Sequence, residues 1–341
     1  MHHAVENAKY SSAPHSRTER GEDTHDQRET WDEMAGQHPQ HPLRAVVDLN
    51  DLNNAYIDGS QKRLVSRAVR LEPHFTVLDY GCGVGRWTLW FARRVQHVVG
   101  VDLSPKMVEA ARQAADEAGI RNAEHAVIDG MPLPFEDSAF DLVNAVWVLR
   151  YVTDEDELAR TVSELCRVTR PGGHLTFIEM LARRELEFKE HEGEFSGAAV
   201  YRRGGDYRSL FEGCGMMLKE STVSSASPLY WPFVAVRDAA RRRNLPDLPS
   251  RLAPSVVSVS LAAEGLTTGL MQVLADRDLV WCRHRFFCFE KPESGEVRAS
   301  PHEHKNAYFN PHGRRSIMSK TLSGRRRSLP AGRRLREEGR P

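Results

Sequence analysis

The stretch TVLDYGCGVGRWTLWFA, residues 76–92, decides the fold. Val77 and Leu78 are strand formers in a short apolar run. Asp79 closes that run, and Gly81, Gly83 and Gly85 follow at alternate positions. Glycine there lets the backbone turn sharply and lets a ligand approach where a Cβ would block it. The helix that follows points its free N–H groups into the turn. Strand, glycine turn and helix together predict a cofactor cradle.

The next strand supports this reading. Val98-Val99-Gly100-Val101-Asp102 is apolar and ends in a carboxylate 21 residues after Gly81. In doubly wound nucleotide folds an acid at that distance reaches a ribose.

Working outward, residues 1–30 hold few large apolar side chains and are expected to be disordered. Apolar spacing predicts a helix over 60–70, ahead of the first strand. Ser104-Pro105 starts a helix over 105–118, ended by Gly119. A third strand is expected over 123–128 and a fourth over 141–148. A helix over 154–169, a tight turn at Arg170-Pro171-Gly172-Gly173 and a fifth strand over 174–179 complete the regular part. Strands alternating with helices imply parallel βαβ units whose ligands bind at the C-terminal strand ends. Beyond them, 185–194 reads as charged and helical and 206–214 as a helix. Strands six and seven are expected over 216–223 and 280–290. The connection between these two strands, about 227–279, is far longer than usual and carries helical patches.

Composition is that of a soluble globular protein, with 341 residues, 40% hydrophobic, 28% charged and a formal net charge of zero. Charge is uneven: residues 292–341 hold 12 Lys/Arg against 5 Asp/Glu. Any attraction to polyanions therefore belongs to this tail, which is expected to be disordered. The five cysteines, at 82, 166, 214, 282 and 288, form no CxxC pair, as expected of reduced thiols. No basic-then-apolar leader opens the chain, and residues 253–275 read as too polar to span a membrane. The expected compartment is the cytoplasm, with no membrane partner.

The succession VLDYGCGVG, VVGVDLSPKMVEAA, AVIDGMPLPFEDSAFDLVNAV and RVTRPGGHLTFIE resembles the class I S-adenosylmethionine-dependent methyltransferases, most closely the branch acting on small molecules. The resemblance covers about residues 31–290. It implies an α/β, Rossmann-like, doubly wound seven-stranded sheet, mostly parallel with an antiparallel last strand. A helical insert lies between strands six and seven. The resemblance also implies roles at S-adenosylmethionine. Asp79 and the turn Gly81, Gly83, Gly85 would hold the methionine part. Asp102 would accept from the ribose hydroxyls. Leu103 and Met107 would pack on the adenine, with plain helix-face packing as the alternative for both. Asp129 would accept from the adenine amino group unless it is only a turn residue. Gly130 and the Met131 backbone would meet the ring edge, and Val146 would lie beneath the sulfonium. A dinucleotide cofactor fits less well, because Arg86 stands where its fingerprint has a third glycine.

Family members often carry a His just after strand four; here the run is Trp147-Val148-Leu149-Arg150-Tyr151. A histidine base is therefore not implied. If the acceptor is an alcohol or phenol, the candidate bases are Glu179 and Tyr151, with Glu179 equally readable as a structural ion-pair partner. No metal site is expected. The segment before strand one and the insert at about 227–279 are expected to shape an apolar or aromatic acceptor pocket, the insert acting as its lid. Two other readings stay open: a non-catalytic S-adenosylmethionine-binding regulator, and an RNA-directed methyltransferase recruited by Arg325-Arg326-Arg327.

Overall fold

The computed structural model describes residues 22–37, 51–182, 186–191, 197–243, 253–277 and 283–293. Seven strands form one sheet: β1 (Thr76–Tyr80), β2 (His97–Asp102), β3 (Ala123–Val127), β4 (Phe140–Val146), β5 (Thr169–Met180), β8 (Met217–Val223) and β9 (His284–Glu290). Their order is β3-β2-β1-β4-β5-β9-β8. The first five run parallel, and β9 is antiparallel to both β5 and β8. The order reverses at β1, which places the cradle at the topological switch point.

Strand alternation sends neighbouring residues to opposite faces. Leu78, Val143, Phe177 and Phe287 pack with α5 (Glu155–Val168) and α6 (Gly204–Gly213). Val77, Leu142, Ile178 and Phe286 pack with α2 (Asp51–Ala68) and α3 (Arg86–Ala92). Ser104 starts α4 (Pro105–Glu117) by accepting from the Met107 N–H with its hydroxyl.

Four expectations change. Residues 22–30 are not disordered: they belong to α1 (Glu22–Gln37), whose Trp31, Met34 and Ala35 pack on Val84, Met107 and Ala110. The helix before β1 begins at Asp51, nine residues earlier than its apolar spacing suggests, because Asn53, Asn54 and Ser60 are buried polar residues. Residues 170–173, where a turn is expected, are included in β5 as an irregularity: Phe140 pairs with Thr169 and Leu142 with His174, and Gly172 takes φ +71°. The charged segment expected to be helical forms β6 (Glu187–His191), paired antiparallel with β7 (Gly197–Tyr201). The basic tail from 294 onward lies outside the described residues.

The insert contains α7 (Tyr230–Arg242) and α8 (Ala253–Asp276). Contrary to the composition reading, α8 is by length and composition apolar enough to cross a membrane. One face of it is nevertheless docked on protein. Glu264, 2% exposed, accepts from Ser60 Oγ at 2.8 Å, Tyr56 Oη at 3.1 Å and the Ala226 N–H at 3.0 Å. Tyr230 stacks on Tyr56 with ring centroids 3.8 Å apart. The insert is thus bolted to α2 through a buried carboxylate.

Candidate functional site

A cavity opens at the C-terminal ends of β1, β2 and β4. Its lining includes Gly81, Gly83, Asp102, Leu103, Met107, Gly130 and Val146 from the expected set. At Gly81, φ is +68° and an added Cβ would lie 2.2 Å from Val148 Cγ2, so neither the conformation nor the space admits a side chain. The turn so formed aims the Gly83 N–H at Asp102 Oδ2, 2.8 Å away. The Ser104 N–H reaches Oδ1 at 2.9 Å. Each carboxylate oxygen keeps lone-pair capacity for one more donor. Burial pushes the Asp102 carboxyl up to about 6, against the pull of these two N–H groups.

Four expected residues stand elsewhere. Gly85 caps the start of α3 with φ +81°, where an added Cβ would lie 3.1 Å from Ala111 Cβ, and it does not line the cavity. Asp79 does not line the cavity. It is 1% exposed and bolted inside the sheet, accepting from Thr88 Oγ1 at 2.7 Å and Asn144 Nδ2 at 3.0 Å. Asn144 in turn accepts from Thr176 Oγ1 at 3.0 Å, so the chain of bonds ties β1, β4 and β5 together. Asp79 is therefore oriented to support the turn, buried away from the cavity in which an ammonium would sit. Asp129 carries an exposed carboxylate paired with Arg28 of α1. Met131 packs against the core beside Leu133 and Phe135.

Sequence reading missed α1. Gln27 and Trp31 line the cavity, and Gln27 donates to the Tyr151 carbonyl. Asp32 accepts from Ser104 Oγ and from the Lys106 N–H, so α1 is fastened at the start of α4. The only apolar signals in that segment are Trp31, Met34 and Ala35, and the rest of the docking is polar.

The other wall is the segment 147–152. Trp147 holds φ +61°, a strained value for a large side chain. Two guanidiniums, Arg86 and Arg150, each lie 5.7 Å from its ring centroid. Arg86 is neutralised by Asp58 at 2.9 Å and bonded to Gln61 at 2.9 Å. Arg150 donates to Tyr151 Oη at 2.9 Å.

Two buried charges fix this segment from behind. Glu179 Oε1 accepts from the Leu149 N–H at 2.7 Å, and Oε2 lies 3.9 Å from Arg150 Nη1. Arg202, 1% exposed, donates to the carbonyls of Leu149 at 3.3 Å and Val152 at 2.8 Å. Burial raises the Glu179 carboxyl to about 7, against the opposing pull of Arg150 and the backbone N–H groups. Glu179 does not line the cavity, whereas Tyr151 does. Of the two candidate bases, only Tyr151 is placed to touch a ligand. Among the described residues of 227–276 none lines the cavity, and the helices of the insert expected as its lid dock on α2. Among the described residues no cluster of three or more His, Cys, Asp or Glu could hold a metal.

Residues 77–173 match the methyltransferase domain family. The chain carries a class I S-adenosylmethionine-dependent methyltransferase domain. Among its relatives, the methyltransferase GfsG of Streptomyces halstedii is 32% identical over 153 residues, covering 43% of this chain and 54% of that protein. The demethylmenaquinone methyltransferase of Listeria welshimeri is 34% identical over 116 residues, covering 33% and 48%. The chain thus spans about half the length of the curated relatives it matches. The Haemonchus contortus phosphoethanolamine N-methyltransferase 1 structure shares the fold, with a TM-score of 0.50 and 15% identity over 80% of this chain and 50% of that one.

The methyltransferase cradle fits its cofactor on the chemistry of its donors. Asp102 offers two oxygens to a vicinal diol. The turn at Gly81–Gly83 exposes backbone where a side chain cannot stand. Leu103, Met107 and Ile128 give an apolar slot for a flat base.

Proposed function

We propose that this methyltransferase domain moves a methyl group from S-adenosylmethionine to a small-molecule acceptor of aromatic character. The observation that carries the reading is one cavity with two chemically distinct walls: a glycine turn with Asp102 on one side, and Trp147, Arg150 and Tyr151 on the other. When bound, the cofactor supplies a methyl carbon made electrophilic by its sulfonium. The protein's task is then to hold an acceptor in line and exclude water. Trp31 and Gln27 close the cavity from above, Val146 floors it, and Tyr151 faces the acceptor. Tyr151 Oη accepts from Arg150, so its own proton is free to be donated to an acceptor atom. The name of the Listeria relative supports a ring-bearing acceptor.

The test is binding by calorimetry. S-adenosylhomocysteine should bind the full chain and NAD should not. Asp102→Ala, which removes a charged hydrogen-bond acceptor, should weaken S-adenosylhomocysteine by roughly 1.5–3 kcal/mol. Tight NAD binding with none of the thioether would overturn the reading.

A further inference from the structure

The acceptor wall has a one-sided polar character. Trp147 Nε1, Trp87 Nε1 and Arg150 Nε are buried donors with no hydrogen-bond partner among the described residues. All three side chains line the cavity. Tyr151 contributes a hydroxyl whose oxygen is already taken by Arg150. Buried donors left unmade are costly, so such a wall calls for a ligand rich in acceptors.

The charge on that wall points the same way. Asp58 balances Arg86 at 2.9 Å. Among the described residues nothing balances Arg150 as closely: the Glu179 oxygen facing it is 3.9 Å away and makes no hydrogen bond. The carboxylates in the lining, Asp102 and Glu157, lie toward Tyr80, whose hydroxyl both of them influence. A buried cation without a close counter-charge is stabilised by a ligand that brings one.

Resting on the methyl-transfer reading, we infer that the acceptor is a planar aromatic oxyanion: its ring lies against Trp147, and its anionic oxygen is held by Arg150 with the Tyr151 and Trp147 donors. A carboxylate or an ionised phenol presents the same chemistry to this wall. Arg150 and Trp147 set the acceptor class, while Glu179 and Arg202 act as positioning residues that hold the segment bearing them.

The inference is tested by titrating 4-hydroxybenzoate, its neutral isostere 4-hydroxybenzamide, and 4-nitrophenolate into the full chain. Each titration is run with and without saturating S-adenosylhomocysteine and followed by calorimetry and tryptophan fluorescence. At least one of the two anions should bind at least about tenfold more tightly than the amide, as expected for a charged hydrogen bond, and should change the fluorescence. Whichever anion does so identifies the oxyanion. Arg150→Gln should abolish the preference while leaving S-adenosylhomocysteine affinity within about twofold. Protonation of Glu179 relieves the charge that this substitution would strand. Trp147→Phe, which keeps an aromatic ring but loses the indole N–H together with part of the ring area, should weaken the preferred anion at least about threefold. Equal binding of anions and amide, or an unchanged preference in both variants, overturns the inference. So does the absence of any probe binding. Failure of S-adenosylhomocysteine alone to bind sinks the methyl-transfer reading instead, and leaves the probe comparison decisive for the wall.

Discussion

The wall proposed for the cofactor is shaped by a backbone turn, and the wall proposed for the acceptor is made of side chains. On the first, glycines at 81 and 83 leave room, and Asp102 is aimed by two N–H groups from its own neighbourhood. On the second, Trp147, Arg150 and Tyr151 are held by Glu179, Arg202 and α2, which come from distant parts of the chain. A backbone wall suits a ligand that does not change. A side-chain wall can be rebuilt for a new acceptor without disturbing the first.

The strongest way to break this comparison is Glu264→Ala. It strands Ser60 Oγ, Tyr56 Oη and the Ala226 N–H in the interior, so stability should fall by about 3–5 kcal/mol. S-adenosylhomocysteine affinity, measured below the unfolding range, should stay within twofold. A parallel loss of affinity would mean that the insert and the cofactor wall are one unit.

A second substitution sharpens the comparison on the acceptor side. The Glu179 carboxyl titrates near 7 when folded, above its ordinary value of 4.5, so the native state binds more protons between those values. Its contribution is therefore favourable at low pH and is lost as pH rises through 7. Glu179→Gln keeps an oxygen for the Leu149 N–H and removes the titration. Denaturant unfolding of the variant relative to the parent should improve between pH 4.5 and pH 7.5, by up to about 3 kcal/mol. A flat difference across that window would place Glu179 in contact with water.

The smallest expected effect lies on the cofactor wall. In the proposed site Asp102 would accept ribose hydroxyls as a carboxylate, and burial pushes its carboxyl up to about 6. S-adenosylhomocysteine affinity should therefore be about tenfold weaker at pH 5 than at pH 7. Asp102→Asn should remove this dependence.

The same division decides what could be read from the sequence. The switch point, the β1 and β2 strand ends and the Asp102 position follow from local spacing, because glycine and a strand-end acid act on their immediate neighbours. Asp79 lies on its expected strand, yet its partners Thr88 and Asn144 are set by α3 and β4, and no local signal says that both its oxygens accept inside the sheet. The α1 helix hides because its docking is largely polar, through Gln27, Arg28 and Asp32. Segment 187–191 has a helical composition, but its pairing with β7 prevails over that weak propensity. Asn53 and Ser60 carry no local sign of burial, because their partners Tyr230 and Glu264 lie far along the chain. Arg202 gives no local sign that it will be buried beneath the acceptor wall.

The position of β9 also bears on how the protein is made. It lies between β5 and β8, so β8 has no neighbour in the sheet until about 60 further residues have been added. At ribosomal speeds of roughly 5–20 residues per second, that wait lasts roughly 3–12 s. During it the outer edge of β5 is open, and α8, with Val259, Leu266 and Leu270 on its exposed face, has already been translated. The nascent chain is therefore most prone to aggregate just before its last strand arrives, and codon usage across 224–283 sets the length of that exposure.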